Sequence, residues 1–277
     1  MEKLTFNADK TDKISKLLSE KNFSFSAVEK LLRQKDVRID GVKIKDNVTA
    51  KEGQQIEVFC QSLPREREIE IIFEDDNVVI ANKPQALEVE GENSLSKLMK
   101  ATAVHRLDRN TSGLIILAKN PPSAKSLDDA FKNKTITKKY LAEVVGKTQY
   151  KDYLMSAYLV KDSSKSQVKI FEKPVKNSVA IQTVFSTIKS SETSSVIECT
   201  LLTGKTHQIR ASLAYLGHPI IGDGKYGKNE DNKLFKAKFQ RLHSFYLHLE
   251  GLKSPLEYLN GKEFYCYPPF FNPKSYK

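Results

Sequence analysis

An α+β architecture follows from the residue pattern: a large, mostly antiparallel mixed sheet preceded by a small α/β unit. Three observations lead there. From residue 69 onward, short β-rich segments succeed one another with few helical stretches between them, unlike an alternating βαβ chain. The first sixty residues read instead as helix, helix, strand, turn, strand. A chain of 277 residues is also long enough for one large domain with a small one attached.

The small unit is taken first. Asp12 is placed to cap a short helix with Ile14, Leu17 and Leu18 on one face. Ser26 and Glu29 have capping-box spacing, and the helix after them carries Val28, Leu31 and Leu32. In VRIDGVKI, Val37 and Ile39 alternate with charged residues, Asp40–Gly41 forms a turn, and Val42 and Ile44 alternate again. Residues 55–59 read as one more strand. This pattern resembles the alpha-L RNA-binding module over about fifty residues. The resemblance implies a basic helix face, with Lys30, Arg33, Lys35 and Arg38 against RNA phosphates. A plain solvated face is the other reading. The first 64 residues hold 12 Lys or Arg against 10 Asp or Glu, so any such binding must come from clustering. The unit is drawn at 1–62. Residues 61–68, QSLPRERE, are polar with a proline, and a linker is placed at 63–68.

The large domain, 69–277, is expected to hold strands near 69–73, 78–82, 114–118, 138–145, 153–160, 167–171, 179–186, 196–202 and 241–249. Helices are expected near 94–100, 124–133 and 207–216.

The chemistry concentrates in AVHRLDRNTSGLIILAKN, residues 103–120. His105, Arg106, Asp108 and Arg109 crowd into five positions ahead of a buried strand. Thr111, Ser112 and Gly113 suit a tight turn whose amides could meet an anion. A carboxylate between two arginines is expected to stay ionised, as a nucleophile or an electrostatic stabiliser. A loop salt bridge is the plain alternative. The string HRLD-x-x-TSG resembles the catalytic motif of the RluA family of pseudouridine synthases, with seven positions matching. The resemblance implies that Asp108 is the catalytic aspartate, that Arg106 helps displace the target base, and that His105 lies among the substrate contacts.

Three further strings extend the resemblance from about residue 69 to the C-terminus. In TGKTHQIR followed by GHPIIGD, Gly204 marks a turn. Thr206 can cap a helix near His207, and Ile209, Leu213 and Leu216 share one helical face. His207 by itself reads as a cap or core histidine and Arg210 as a surface residue. The resemblance gives Arg210 the role of pairing with the catalytic aspartate, which a guanidinium can do bidentately. In ITKKYLAEVVG, Tyr140 reads as a buried strand aromatic. The resemblance makes it the tyrosine that contacts the base and relays the carbon 5 proton, with Lys139 facing phosphate. In VVIANKPQALEVEGE, Asn82-Lys83-Pro84 resembles the first motif of the family, with Lys83 structural or RNA-facing. This chain departs from the family there: Ala86 and Glu90 stand where a glycine and a histidine are usual, and Asn110 replaces an acidic residue.

Composition bounds the rest. Lys and Arg number 45 against 34 Asp and Glu, a formal charge of +11, as suits a protein that meets a polyanion. Cys60, Cys199 and Cys266 are isolated, so neither a disulfide framework nor a zinc site is expected, and a reducing cytoplasm is. No signal peptide or membrane-length apolar run is read. No Walker-type loop, GxGxxG or HExxH occurs, so no nucleotide, flavin or metal cofactor is expected. The resemblance implies an RNA-modifying isomerase, with ribosomal RNA of the large subunit as first substrate and transfer RNA as second; nothing in the sequence suggests an obligate partner, and a monomer is expected. A non-catalytic RNA-binding factor and a hydrolase cutting the same glycosidic bond are the rivals.

Overall fold

A computed structural model describes residues 1–23, 25–63, 69–162 and 166–275. The chain divides into two compact units, Met1–Glu68 and Ile69–Lys277. Most of the expected linker, 64–68, lies outside the described residues.

In the first unit the elements run β1 (Glu2–Asn7), β2 (Asp12–Lys13), α1 (Ile14–Glu20), α2 (Phe25–Gln34), β3 (Val37–Ile39), β4 (Val42–Ile44), β5 (Thr49–Ala50) and β6 (Gln55–Cys60). The main sheet has the order β1-β6-β3-β4, and every pairing in it is antiparallel. Ile14, Leu17 and Leu18 of α1 and Val28, Leu31 and Leu32 of α2 pack on Val37, Ile56 and Val58 of the sheet. Asp12 is not the cap of α1: its carboxylate takes the Lys13 amide at 2.7 Å. Asn47 serves instead, accepting the Ser15 N–H at 2.9 Å and returning a bond to the Ser15 hydroxyl at 2.8 Å. Ser26 lies inside α2 rather than at its cap, and residue 24 before the helix is not described.

The four basic candidates of this unit do not share a face. Lys30, Arg33 and Lys35 are exposed on α2 and just beyond it. Arg38 follows Val37 on β3. Strand alternation turns it to the sheet face away from the helices, where its guanidinium lies 4.8 Å from the Phe59 ring centre.

In the second unit the elements run β7 (Glu70–Glu74), β8 (Val78–Lys83), α3 (Leu95–Met99), β9 (Thr102–Ala103), β10 (Ser112–Ala118), α4 (Pro121–Lys132), β11 (Thr137–Val145) and β12 (Tyr153–Asp162). They continue with β13 (Gln167–Phe171), β14 (Val179–Ser190), β15 (Ser194–Leu201), α5 (Gln208–Tyr215), α6 (Asn229–Leu234), β16 (Leu242–His248) and β17 (Glu263–Tyr265). The strands form one sheet of order β13-β12-β14-β15-β11-β16-β10-β8-β7, with β17 on β16 and β9 on β10. Among the described residues its pairings are antiparallel except β10 with β16. The expected mixed, mostly antiparallel sheet is therefore present.

The strand period sorts side chains into two cores. On β10, Ile115 and Leu117 enter one apolar cluster while Leu114, Ile116 and Ala118 enter another on the opposite face. β8 divides likewise, with Val79 and Ala81 on one side and Val78 and Ile80 on the other. Helix α4 presents Ser123, Ser126, Leu127 and Ala130 to the interior, the spacing of one helical stripe. It starts at Pro121, earlier than expected. Asn120 caps it by accepting the Ser123 N–H at 3.0 Å, and proline tolerates the first turn because its missing N–H is an orphan there anyway.

Two features of the sheet's centre set up the site. Gly113 adopts φ 109°, and a Cβ there would sit 2.2 Å from the Ser244 carbonyl oxygen, so the close parallel approach of β10 and β16 requires glycine. Ser112 and Gly113 of the expected tight turn are therefore engaged in strand pairing with His243 and Ser244. The turn lies just before them, at residues 108–111, closed by the Thr111 N–H donating to the Asp108 carbonyl at 3.0 Å. On the other side of β16, β11 pairs Lys139 with Tyr246 but Tyr140 with Ser244, leaving Phe245 as the extra residue of a bulge. That bulge lies beside Tyr140. No helix among the described residues is long and apolar enough to cross a membrane.

Candidate active site

The central strands converge on one cleft of about 920 Å³ in the second unit. The loop before β10 brings Asp108, β11 brings Tyr140, and α5 brings Arg210. Residues 102 apart in the chain thus meet: the Arg210 Nη1 donates to Asp108 Oδ2 at 2.8 Å.

Arg210 does not fork onto Asp108. Its Nε and Nη2 form the fork on Asp223, at 2.7 and 2.9 Å. Asp223 Oδ1 also accepts the backbone N–H groups of Lys225 and Tyr226, at 2.8 and 3.1 Å. The three side chains run outward from the interior: Asp223 is 0% exposed, Arg210 7% and Asp108 19%. Burial alone would raise the Asp223 pKa. The hydrogen bonds and charge of Arg210, with the two backbone donors, more than reverse this and hold it below the usual carboxylate value. Burial likewise works against the charge on Arg210. Asp223, and then Asp108, outweigh it and raise its pKa. The result is a guanidinium locked by its inner partner with one N–H group committed to Asp108.

His207 opens the turn into α5 with φ 55° and carries no side-chain cap, so neither Thr206 nor His207 caps this helix. Its Nε2 lies 3.8 Å from Asp108 Oδ2, and its Nδ1 lies 2.9 Å from the Tyr226 hydroxyl. Burial lowers its pKa, with Asp108 pulling the other way. The ring is then neutral, and the carboxylate facing Nε2 favours the proton there. Tyr226 already accepts the Val168 N–H at 2.8 Å, so its own hydroxyl hydrogen is free to meet Nδ1.

Tyr140 is 5% exposed and lines the cleft. Burial pushes its hydroxyl well above the ordinary phenol value, and the Asp108 charge adds to the rise. Arg106 stands exposed at the cleft wall, with no hydrogen-bond or ion-pair partner among the described residues.

Three expected substrate contacts are placed otherwise. Lys83 is fully buried, and its ammonium donates to the carbonyls of Pro84, Leu87 and Arg109 at 2.9, 2.7 and 3.1 Å. It ties the first motif to the Asp108 loop and does not line the cleft. His105 borders the cleft, yet its Nε2 accepts the Ile116 N–H at 3.1 Å, and its ring packs on Phe131 at 4.5 Å. Burial keeps it neutral, with Lys138 adding to the drop in its pKa. It fills the gap on β10 between the stretch paired with β16 and the stretch paired with β9. Lys139 points to the opposite face of the sheet, bonded to Glu198 at 3.0 Å and lying over Tyr246. Alternation turns its neighbours Lys138 and Tyr140 into the cleft together.

The cleft is cationic. Arg106, Lys132, Lys134, Lys138, Lys205 and Arg210 line it, and among the described residues Asp108 is its single acid. Such a lining suits a polyanion better than a neutral metabolite. No group of three or more His, Cys, Asp or Glu side chains that could hold a metal ion occurs among the described residues.

Asp223, Tyr226 and Lys138 were not singled out from the sequence. The first lies within the GHPIIGD string, and its neighbour Gly222, at φ 83° with the Phe239 carbonyl 2.0 Å from an ideal Cβ, marks a close approach. For Lys138 the signal was the period of two counted from Tyr140.

A family model described as RNA pseudouridylate synthase matches residues 77–215. The uncharacterized RNA pseudouridine synthase YlyB of Bacillus subtilis is 30% identical over 262 residues, covering 85% of this chain and 84% of that protein. The ribosomal large subunit pseudouridine synthase C of Pasteurella multocida is 30% identical, covering 83% and 79%. Among solved structures, human RNA pseudouridylate synthase domain containing 1 superposes with a TM-score of 0.63 at 25% identity, covering 75% of this chain and 86% of that one.

Proposed function

The chain belongs to the RNA pseudouridylate synthase family of the RluA type, and on that premise we propose that Asp108 is the carboxylate with which it converts uridine to pseudouridine in ribosomal RNA of the large subunit. The observation that carries the assignment is the chain Asp223–Arg210–Asp108, which ends on a partly exposed carboxylate in a cleft whose other charged groups are cations.

The chemistry asks for little else. The bond from ribose carbon 1′ to uracil nitrogen 1 breaks, the base rotates, and carbon 1′ joins carbon 5. The proton that leaves carbon 5 is matched by one gained at nitrogen 1. The product is an isomer, so no oxidant, reductant or energy source enters the balance. Asp108 attacks carbon 1′, adds to carbon 6, or assists elimination to a glycal. A carboxylate steered by Arg210 serves each of these routes. Tyr140 covers the base and relays the carbon 5 proton. The target base must leave its stack, at a cost of about a few kcal/mol, and Arg106 is placed to occupy the gap.

Large-subunit ribosomal RNA is preferred because the Pasteurella relative is a ribosomal large subunit synthase and because the first unit resembles the alpha-L module, with Lys30, Arg33 and Lys35 exposed. We assign that unit to RNA anchoring, the enzyme to the cytoplasm, and the working form to a monomer.

The test is pseudouridine mapping of ribosomal and transfer RNA from cells lacking the gene, complemented with wild type or Asp108→Asn. Specific sites should vanish, return with wild type and stay absent with the variant, while purified Asp108→Asn binds RNA within a few-fold of wild type. Substantial turnover by that variant refutes the role of Asp108. A loss confined to transfer RNA moves the substrate, and no loss at any site favours a non-catalytic binding factor.

A further inference from the structure

Several partly or fully buried cations have their charge or donors met from within the protein. Arg210 has Asp223 and Asp108, Arg241 has Glu143 at 2.7 Å, Lys139 has Glu198, and Lys83 has three carbonyls. Lys138 differs. Among the described residues it has neither a carboxylate nor a hydrogen-bond partner. Its ammonium lies 5.0 Å from the Phe131 ring centre and 3.6 Å from an ideal Cβ built on Gly204, between two walls of the cleft. Burial alone pushes its pKa down. The side chain is half-buried, and an ammonium partly withdrawn from water without a counter-charge is costly unless something supplies the missing charge.

The cleft says what that is. Among the described residues its single acid, Asp108, is committed to Arg210. The charge must then arrive with the ligand. On RNA the only anion is the backbone phosphate, since the uracil carbonyls are neutral. Lys138 sits two residues from Tyr140 on the same strand face, a span of about 7 Å, which is the scale of one nucleotide. Resting on the reading of this cleft as an RNA site, we propose that Lys138 is a phosphate-binding residue: its ammonium receives the backbone phosphate beside the target uridine, which supplies the counter-charge.

The full-length protein tests this in four forms: wild type, Lys138→Met, Lys138→Arg and Lys139→Met. Turnover is followed on total ribosomal RNA. Binding to labelled single-stranded oligouridylate is followed against salt, in the Asp108→Asn background. Lys138→Met should raise KM about tenfold with kcat within a few-fold, the loss expected for one charge-assisted hydrogen bond. It should also reduce the slope of log affinity on log salt by about 0.7, one phosphate contact on a single strand. Lys138→Arg should restore most of both, and Lys139→Met should leave the slope unchanged. Lys138→Met should melt no lower than wild type, because it removes an uncompensated charge. An unchanged slope and KM in Lys138→Met overturn the proposal. So does a loss in kcat alone, or a lowered melting temperature with both substitutions inactive. If wild type makes no pseudouridine while the salt slopes differ as stated, the enzymatic reading fails and the phosphate contact stands.

Discussion

Replacing Asp223 with asparagine should disable the site from behind, without touching any group that meets RNA. Asp223 accepts four hydrogen bonds, two from Arg210 and two from the backbone. An asparagine can keep its oxygen where Oδ1 stands and so retain three of them. Its amide nitrogen then faces the Arg210 Nε–H, donor against donor. One charge-assisted bond is lost, worth about 1.5–3 kcal/mol, and a buried guanidinium is left with Asp108 as its one remaining counter-charge. The total should reach about 3–5 kcal/mol, the usual cost of removing one partner of a buried pair. In urea this should lower the unfolding midpoint by about 1–2 M. Because the fork no longer aims Arg210, kcat should fall about a hundredfold with little change in KM, as expected for misplacement on the scale of 1 Å. The stability difference should depend on pH in one direction. The folded Asp223 pKa lies below the unfolded value of about 3.9. Its contribution is therefore complete above that value and lost as pH falls through the folded one, so wild type and variant should converge below about pH 4. A neutral-pH difference under about 1 kcal/mol, or a gap that persists undiminished into acid, refutes the reasoning.

Two further outcomes follow from the same geometry. Tyr140→Phe should lower kcat about a hundredfold with a small effect on KM. Because burial holds the hydroxyl un-ionised, the wild-type rate profile should lack an inflection near pH 10, and one that disappears in the phenylalanine variant contradicts the placement. Ala86 adopts φ 61°, a left-handed conformation that costs an alanine about 1–2 kcal/mol. Ala86→Gly should therefore stabilise the protein by about 0.5–1 kcal/mol net of the added chain entropy. A lower melting temperature for that variant would show the strain to be absent.

Ala86 also illustrates how far the chain could be read directly. Its departure from the family's usual glycine was visible in the residues, and the backbone there does adopt the conformation glycine favours. Strands were legible wherever alternation was strong: β13 coincides with the expected 167–171, and β10 was recognised by its apolar run. Strand β1 was missed because Leu4 and Phe6 alternate only briefly, and its pairing comes from β6, fifty residues away. The cap of α1 was misread for a related reason, since Asn47 reaches it from beyond the helix pair.

The same division runs through the site. Asp108, Tyr140 and Arg210 could be named from their strings, because the chemistry demands those functional groups and local order preserves the motif around them. The interatomic assignments could not. Arg210 gives its fork to Asp223 and a single N–H to Asp108 because burial makes the inner carboxylate dependent on it. Lys138 rather than Lys139 enters the cleft because pairing of β11 with β15 and β16 decides which side of the pleat faces inward. Lys83 turns away from the cleft because three carbonyls converge on it, two flanking the turn at 84–87 and one, from Arg109, in the loop before β10. Local pattern carries residue type and period. Burial, register and the direction of a hydrogen bond depend on neighbours distant in the chain, and only the folded sheet brings those together.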